Sequence, residues 1–428
     1  MSVSITKKED PIMKKTLALV LAAMMMLSLL AVPALAEDQV LKIVTWDATT
    51  TPYLDAQKAA FEASHPGVTI EYIDVASQDF FVKTTTMLEG GDKSDIFMVK
   101  EVPDLINWVA QGFAAPLNEY VAASNYDLAG FAGTEQNYAV DGELYAIPFR
   151  SDFWVLFYNK DLFDAAQVEY PTNDITWDAY AELAKKLADP EKDIYGTYYH
   201  TWPSAVANWT VADAKNTLAD GEYSDLLYFY KLYQDLEDAG ACPAFAEQKA
   251  ANLHYKSSFY KGNIAMLPMG YWFVSSLIND MASGECTPFN WGIVSVPHLD
   301  GVPAGSSFGN LTGAMINVKS ENKDLAWEYI SWLGGEEGSA ATASTGTRPA
   351  LATDSVVSVL ASVEGFPADD NSKAALKPVF VGMEWPVVDK VNDIKSIVNE
   401  VHTQIMTREL TPEEGVEEMN ERVGDLFK

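Results

Sequence analysis

The chain reads as an α/β protein built as two lobes. Three observations carry that reading. Apolar, β-branched runs alternate with helix-period segments from Val40 onward, and the alternation resumes after residue 150. At 428 residues the chain is also too long to wrap one compact sheet. Its 48% hydrophobic and 21% charged content are globular values.

Val40 opens the first strand with VLKIVTWDA, and Thr51 to Ser64 follows at helical spacing until His65-Pro66-Gly67 stops it. Val68 to Val75 reads as the second strand, Phe80 to Leu88 as a helix, and Asp95 to Val99 as the third strand. Strands alternating with helices predict a mainly parallel sheet. Binding sites in such sheets lie in loops beyond the strands' carboxyl ends. Trp46-Asp47 and Lys100-Glu101 occupy that position. In the second half, Ser151 to Tyr158 is an apolar strand, and Thr176-Trp177-Asp178 opens a helix to Ala188. Ser224 to Leu236 is an amphipathic helix, and 263–269 and 290–297 read as buried strands. A loop over 301–309 leads to a strand over 311–318 and a helix over 324–333. The tail from 387 to 426 is helical except at Leu410-Thr411-Pro412.

Ahead of all this, Lys14-Lys15, an apolar run from Leu17 to Val32 and Ala34-Leu35-Ala36 form a secretory signal peptide, cleaved after Ala36. Translation starts at Met1 or Met13. Losing residues 1–36 removes four lysines and two acids, taking the formal charge from −32 to −34. So negative a surface disfavours nucleic acid and anionic lipid. No cysteine follows the cleavage site, so a lipid anchor has no attachment point there. Cys242 and Cys286 could form one disulfide or remain two thiols.

Catalytic patterns are sparse. Gly305-Ser306-Ser307-Phe308-Gly309 matches G-x-S-x-G, but a nucleophile elbow needs a strand before it and a helix after it. The five histidines show no metal-ligand spacing, and phosphate-binding glycine loops are absent. No catalytic residue, metal or cofactor is expected. Aromatics are more informative: 11 Trp and 20 Tyr, several beside glycine or charge at loop edges. Flat aromatic faces suit the C–H faces of pyranose rings, whose hydroxyls need a few placed polar partners. The stretch Gly270-Tyr271-Trp272-Phe273 cannot turn all three rings inward, because neighbouring side chains diverge. One of the three must face outward, and Gly270 allows a tight turn before them.

YAIPFRSDFWVLFYNKDLF (145–163) with Thr176-Trp177-Asp178, SDIFMVKEVPDLINWVAQGFAAPLNEY (94–120), FYKGNIAMLPMGYWFVSSLI (259–278), Asn322-Lys323-Asp324 with Ala326-Trp327-Glu328-Tyr329, and GVEEMNERVGDLF (415–427) occur in one order. Together they resemble the extracellular solute-binding proteins of ABC importers, the family that includes maltose-binding protein. The resemblance implies a two-lobed periplasmic-binding-protein fold, type II-like, with lobe 1 over 37–147 and 316–347 and lobe 2 over 148–312 and 350–428. Crossings are then expected near 147–150, 312–316 and 347–350. It also implies a ligand site built from Trp46, Asp47, Glu101, Arg150, Asp152, Trp202, Tyr271, Trp272, Asn310, Arg348, Glu384 and Trp385. The implied protein is a periplasmic or extracellular monomer that delivers a carbohydrate to permease transmembrane subunits and catalyses nothing. Binding of another solute such as a polyamine, and an exported glycan-cleaving enzyme, are the alternatives; a structural envelope protein would leave the loop-edge aromatics unexplained.

Overall fold

The computed structural model describes residues 39–428 apart from positions 132, 214, 352, 387 and 389. The signal peptide and the choice of start site lie outside the described residues. Strand β1 (Gln39–Trp46) runs parallel to β2 (Val68–Val75), from Gln39 opposite Val68 to Trp46 opposite Val75. On its other side β1 pairs in parallel with β3 (Ile96–Val99). Helices α1 (Pro52–Ser64) and α2 (Phe80–Glu89) connect these strands. Pro52 stands in the first turn of α1, where its missing amide hydrogen loses no helix bond. This opening βαβαβ follows the predicted order element by element.

The sheet as a whole is mixed rather than mainly parallel. Its remaining strands are β4 (Ile147–Asn159), β5 (Met266–Gly270), β6 (Trp291–Ser295), β7 (Ser306–Ile316) and β8 (Phe380–Met383). The order is β2-β1-β3-β7-β4-β5, with β8 beside β7 and β6 beside β4. β7 is antiparallel to β3 and β4, and β4 is antiparallel to β5 and β6. Two neighbouring strands that carry the chain outward and back must oppose each other, which a reading of consecutive βαβ units does not foresee. β7 also starts at Ser306, inside the expected 301–309 loop. Phe380–Met383 supplies it with a parallel partner from far along the chain.

Apolar side chains gather into two cores that share no residue. One runs from Leu41 to Phe149 and from Leu311 to Leu333; the other holds Phe153 to Phe308 and Ala343 to Val423. Helices α3 (Val102–Ala110) and α4 (Lys323–Gly334) face the first core. Helices α5 (Val391–Met406) and α6 (Pro412–Asp425) face the second. At α6 Thr411 closes a full capping box with Glu414, satisfying two amides at the break foreseen at Leu410-Thr411-Pro412.

Between the cores, the apolar pattern of both long strands is interrupted at one level. Asp152 of β4 lies opposite Asn310 of β7, Ser151 opposite Leu311 and Arg150 opposite Thr312. A third stretch joins them there: Ser151 N–H donates to the Arg348 carbonyl, and Ala350 N–H to that of Phe149. Three chain segments thus lie side by side in a polar belt separating two hydrophobic masses.

Candidate functional site

Arg150 anchors the belt. Its Nε and Nη2 donate to Thr312 Oγ1 at 3.2 and 3.1 Å, and Nη2 lies 3.2 Å from Asp152 Oδ2. The guanidinium also faces the rings of Tyr53 at 5.3 Å and Trp46 at 5.8 Å. Trp46 is held edge-on by Phe80 at 5.0 Å. Arg348 Nη1 donates to Ser151 Oγ at 3.0 Å, and its guanidinium covers Phe153, which stacks on Tyr271.

Within this group Asp152 Oδ1, Arg348 Nε and the Tyr271 hydroxyl are buried and find no hydrogen-bond partner. Buried polar atoms are nearly always paired, so three together mark an unfilled requirement. Burial raises the Asp152 carboxyl, against the opposing pull of Arg150 and Arg348. Burial lowers Arg348, opposed by Tyr271 and Asp152.

Aromatic rings line the second core's side. Trp154 is enclosed; it meets Trp272 edge-on at 5.7 Å and Trp209 at 5.4 Å. Trp272 Nε1 donates to the Tyr255 hydroxyl at 3.2 Å, and Trp202 lies 6.2 Å beyond with 38% of its surface exposed. The three-aromatic stretch resolves accordingly: Tyr271 and Phe273 are fully buried, while Trp272 stays partly open. Gly270 does not serve as a left-handed turn. It ends β5, and a Cβ there would stand 1.9 Å from the Trp272 ring. The absent side chain makes room for the indole.

An ionic edge completes the arrangement. Glu101, the N-cap residue of α3, pairs with Lys395 of α5. Lys100 Nζ donates to Ser77 Oγ at 2.6 Å and to its carbonyl at 2.8 Å, while the Lys100 carbonyl accepts from Asn310 Nδ2 at 3.2 Å. Glu384 accepts from Trp154 Nε1 at 3.3 Å. Burial, then the Glu101 charge, pushes Glu384 up to about 7. Burial and the same neighbour push Asp104 up to about 8.

Of the residues singled out from sequence, Arg150, Asp152, Tyr271 and Arg348 form one group, with Trp46 against Arg150. Trp272 and Trp202 form a second, and Glu101 and Glu384 meet around Lys395. Asn310 touches the first group's level through the Lys100 carbonyl. Asp47 spends its Oδ1 on the Ser77 amide at 3.1 Å, and Trp385 packs into the larger core at 8% exposure. Tyr53, Asp104, Trp154, Tyr255 and Lys395 were not among them, and Lys100 was placed only as a loop position after the third strand. Asp104, an acid buried in the apolar helix VPDLINWVA, was the one with a readable signal. Ser307 lies inside β7, its hydroxyl donating to the Trp154 carbonyl at 2.8 Å and accepting its amide at 3.0 Å. Strand pairing consumes it. Cys242 and Cys286 are buried free thiols, and the described residues contain no group of three or more His, Cys, Asp or Glu able to hold a metal.

The family described as bacterial extracellular solute-binding protein matches residues 47–340. A sugar transporter of Rhizobium etli, solved in an open conformation, is 42% identical, covers 90% of this chain and 99% of its own, and superimposes with a TM-score of 0.79. A putative binding protein of Brucella abortus is 26% identical over 72% of this chain and 75% of its own. The mannitol-binding protein of Pseudomonas aeruginosa is 22% identical over 90% of this chain and 93% of its own.

Proposed function

The chain belongs to the bacterial extracellular solute-binding protein family, and from that premise we propose that it captures a sugar, sugar alcohol or oligosaccharide between its lobes for an ABC importer. The observation that carries this reading is the polar belt with its three unpartnered buried groups. A carboxylate oxygen accepts, a guanidinium N–H donates and a phenol does either, which complements neighbouring sugar hydroxyls. Trp272, Trp202 and Trp46 supply flat faces for the C–H surfaces of the rings. The likeness to the Rhizobium sugar transporter and the Pseudomonas mannitol-binding protein supports the same ligand class.

In this reading the hinge runs where β4, β7 and the 348–350 segment lie together, and the two cores are the two jaws. Ligand touches both jaws only when they approach, so binding shifts the population toward closure. The site residues act by holding hydroxyls and ring faces; no bond of the ligand changes, and permease subunits receive it intact. The protein works outside the cytoplasm as a monomer, with its leader removed after Ala36. Arg150, Arg348, Lys100 and Lys395 disfavour a polyamine at this site. Calorimetric titration with uncharged sugars and with polyamines tests the assignment, and chromatography of the recovered ligand tests the absence of cleavage. A shortened oligosaccharide in the eluate would convert the carrier into an enzyme.

A further inference from the structure

Lys395 has no part in the site as outlined from sequence, yet it spans the gap between the two cores. It belongs to α5, whose Ile394 and Val398 are buried in the second core, while its partner Glu101 stands at the N-cap position of α3, packed in the first. Three carboxyls face this one ammonium: Glu101, Asp104 one turn into α3, and Glu384 after β8. Lys100 approaches from the β3 end, and Asp152 adds its field at Glu384. Asn310 ties the Lys100 backbone to β7, so the loop carrying Glu101 cannot drift from the crossing strands.

We propose that Lys395 and Glu101 form an interlobe latch, gated by protons on Asp104 and Glu384, that sets how far the lobes close before ligand arrives. The proposal rests on the two-jaw reading above and adds a control to it. Three carboxylates against two lysines repel one another when all are ionised; protons on Asp104 and Glu384 leave Glu101 to face Lys395 and Lys100 alone. Burial in the latched form favours those protons, as the positions of Asp104 and Glu384 at about 8 and about 7 agree. Parting the lobes returns water to both carboxyls and removes that preference. The latched form therefore binds more protons than the parted form. By linkage it is favoured as pH falls through the interval from about 8 toward 6 and is lost as pH rises through it. A carrier built this way stands nearer closure in mildly acidic surroundings and opens in alkaline ones.

Small-angle X-ray scattering of the ligand-free protein from about pH 6 to about pH 9 tests the latch with no sugar present, so its outcome is independent of the ligand assignment. The radius of gyration should rise with pH in the wild type, the parted-to-latched ratio growing by at most about tenfold per pH unit for each carboxyl still protonated in the latched form. Asp104→Asn with Glu384→Gln should flatten that dependence and remain compact. Lys395→Met should be expanded at every pH, and Lys395→Arg should restore the wild-type curve. A wild-type radius unchanged across the range overturns the proton gate, and a Lys395→Met radius equal to the wild type overturns the latch. Failure of every sugar to bind, with the scattering curves as described, would instead remove the ligand reading and leave the latch standing.

Discussion

Gly270 positions Trp272 by what it lacks. Its missing Cβ leaves the space that the indole fills, so Gly270→Ala forces the ring aside or opens the β5–helix junction. Overpacking of this kind costs about 1–3 kcal/mol, and thermal unfolding should show that loss together with weakened ligand binding. Trp272→Ala separates the two effects. It should lower affinity by about 1–3 kcal/mol in calorimetry while the circular dichroism spectrum keeps its native form. Equal affinities for wild type and variant would remove the indole from the ligand's path. The sequence made the divergence of the three rings inevitable, since no element turns three neighbours one way. It carried no trace of the reason for the glycine, because steric exclusion by a residue two positions on depends on the ring's final rotamer. Asp104 could have been found as an acid among apolar neighbours; Lys395, the single lysine of an amphipathic helix, had nothing to distinguish it.

Strands β4 and β7 each contribute residues to both cores, and Ser307 is part of their mortar. Its hydroxyl bridges the amide and carbonyl of Trp154, both buried. Ser307→Ala leaves those groups without that partner and should cost about 1–3 kcal/mol, read as a lower denaturation midpoint. A nucleophile's removal would instead abolish turnover and leave the midpoint unmoved. The early elements β1, α1, β2, α2 and β3 were legible because each depends on local pattern and on breakers such as His65-Pro66-Gly67. The beginning of β7 was not, because its first residues read as a Gly/Ser loop until Phe380–Met383 pairs with them. The antiparallel crossings were hidden for the same reason: strand direction follows from partners more than a hundred residues away. Of the site, loop positions after strands could be located from sequence, but not which groups would meet around Asp152 or around Lys395.

Across the whole molecule, two sets of buried groups bend the stability curve in opposite directions. Burial drives His402 and His200 down to about 3, so folding keeps both neutral. Their contribution is complete above the unfolded histidine range and is lost as pH falls from about 6.5, reaching about 2 kcal/mol per histidine by pH 5. Asp104 and Glu384, raised by burial and by Glu101, act the other way: stability declines as pH rises through about 7 and about 8. The carboxyl loss begins at the unfolded carboxylate range, about 4, and offsets the histidine gain up to about pH 6.5, so thermal midpoints should be level through mildly acidic pH and fall as pH rises past neutrality. His402→Phe, which keeps a buried ring without a titrating nitrogen, should raise the midpoint at about pH 5 relative to that at about pH 7. A profile unchanged in that variant would place the histidine contribution elsewhere. What enters between the jaws is decided by titration calorimetry of the purified chain against uncharged sugars, sugar alcohols, oligosaccharides and polyamines. A member of the carbohydrate set should saturate the chain one to one; saturation by polyamines alone would overturn the sugar assignment.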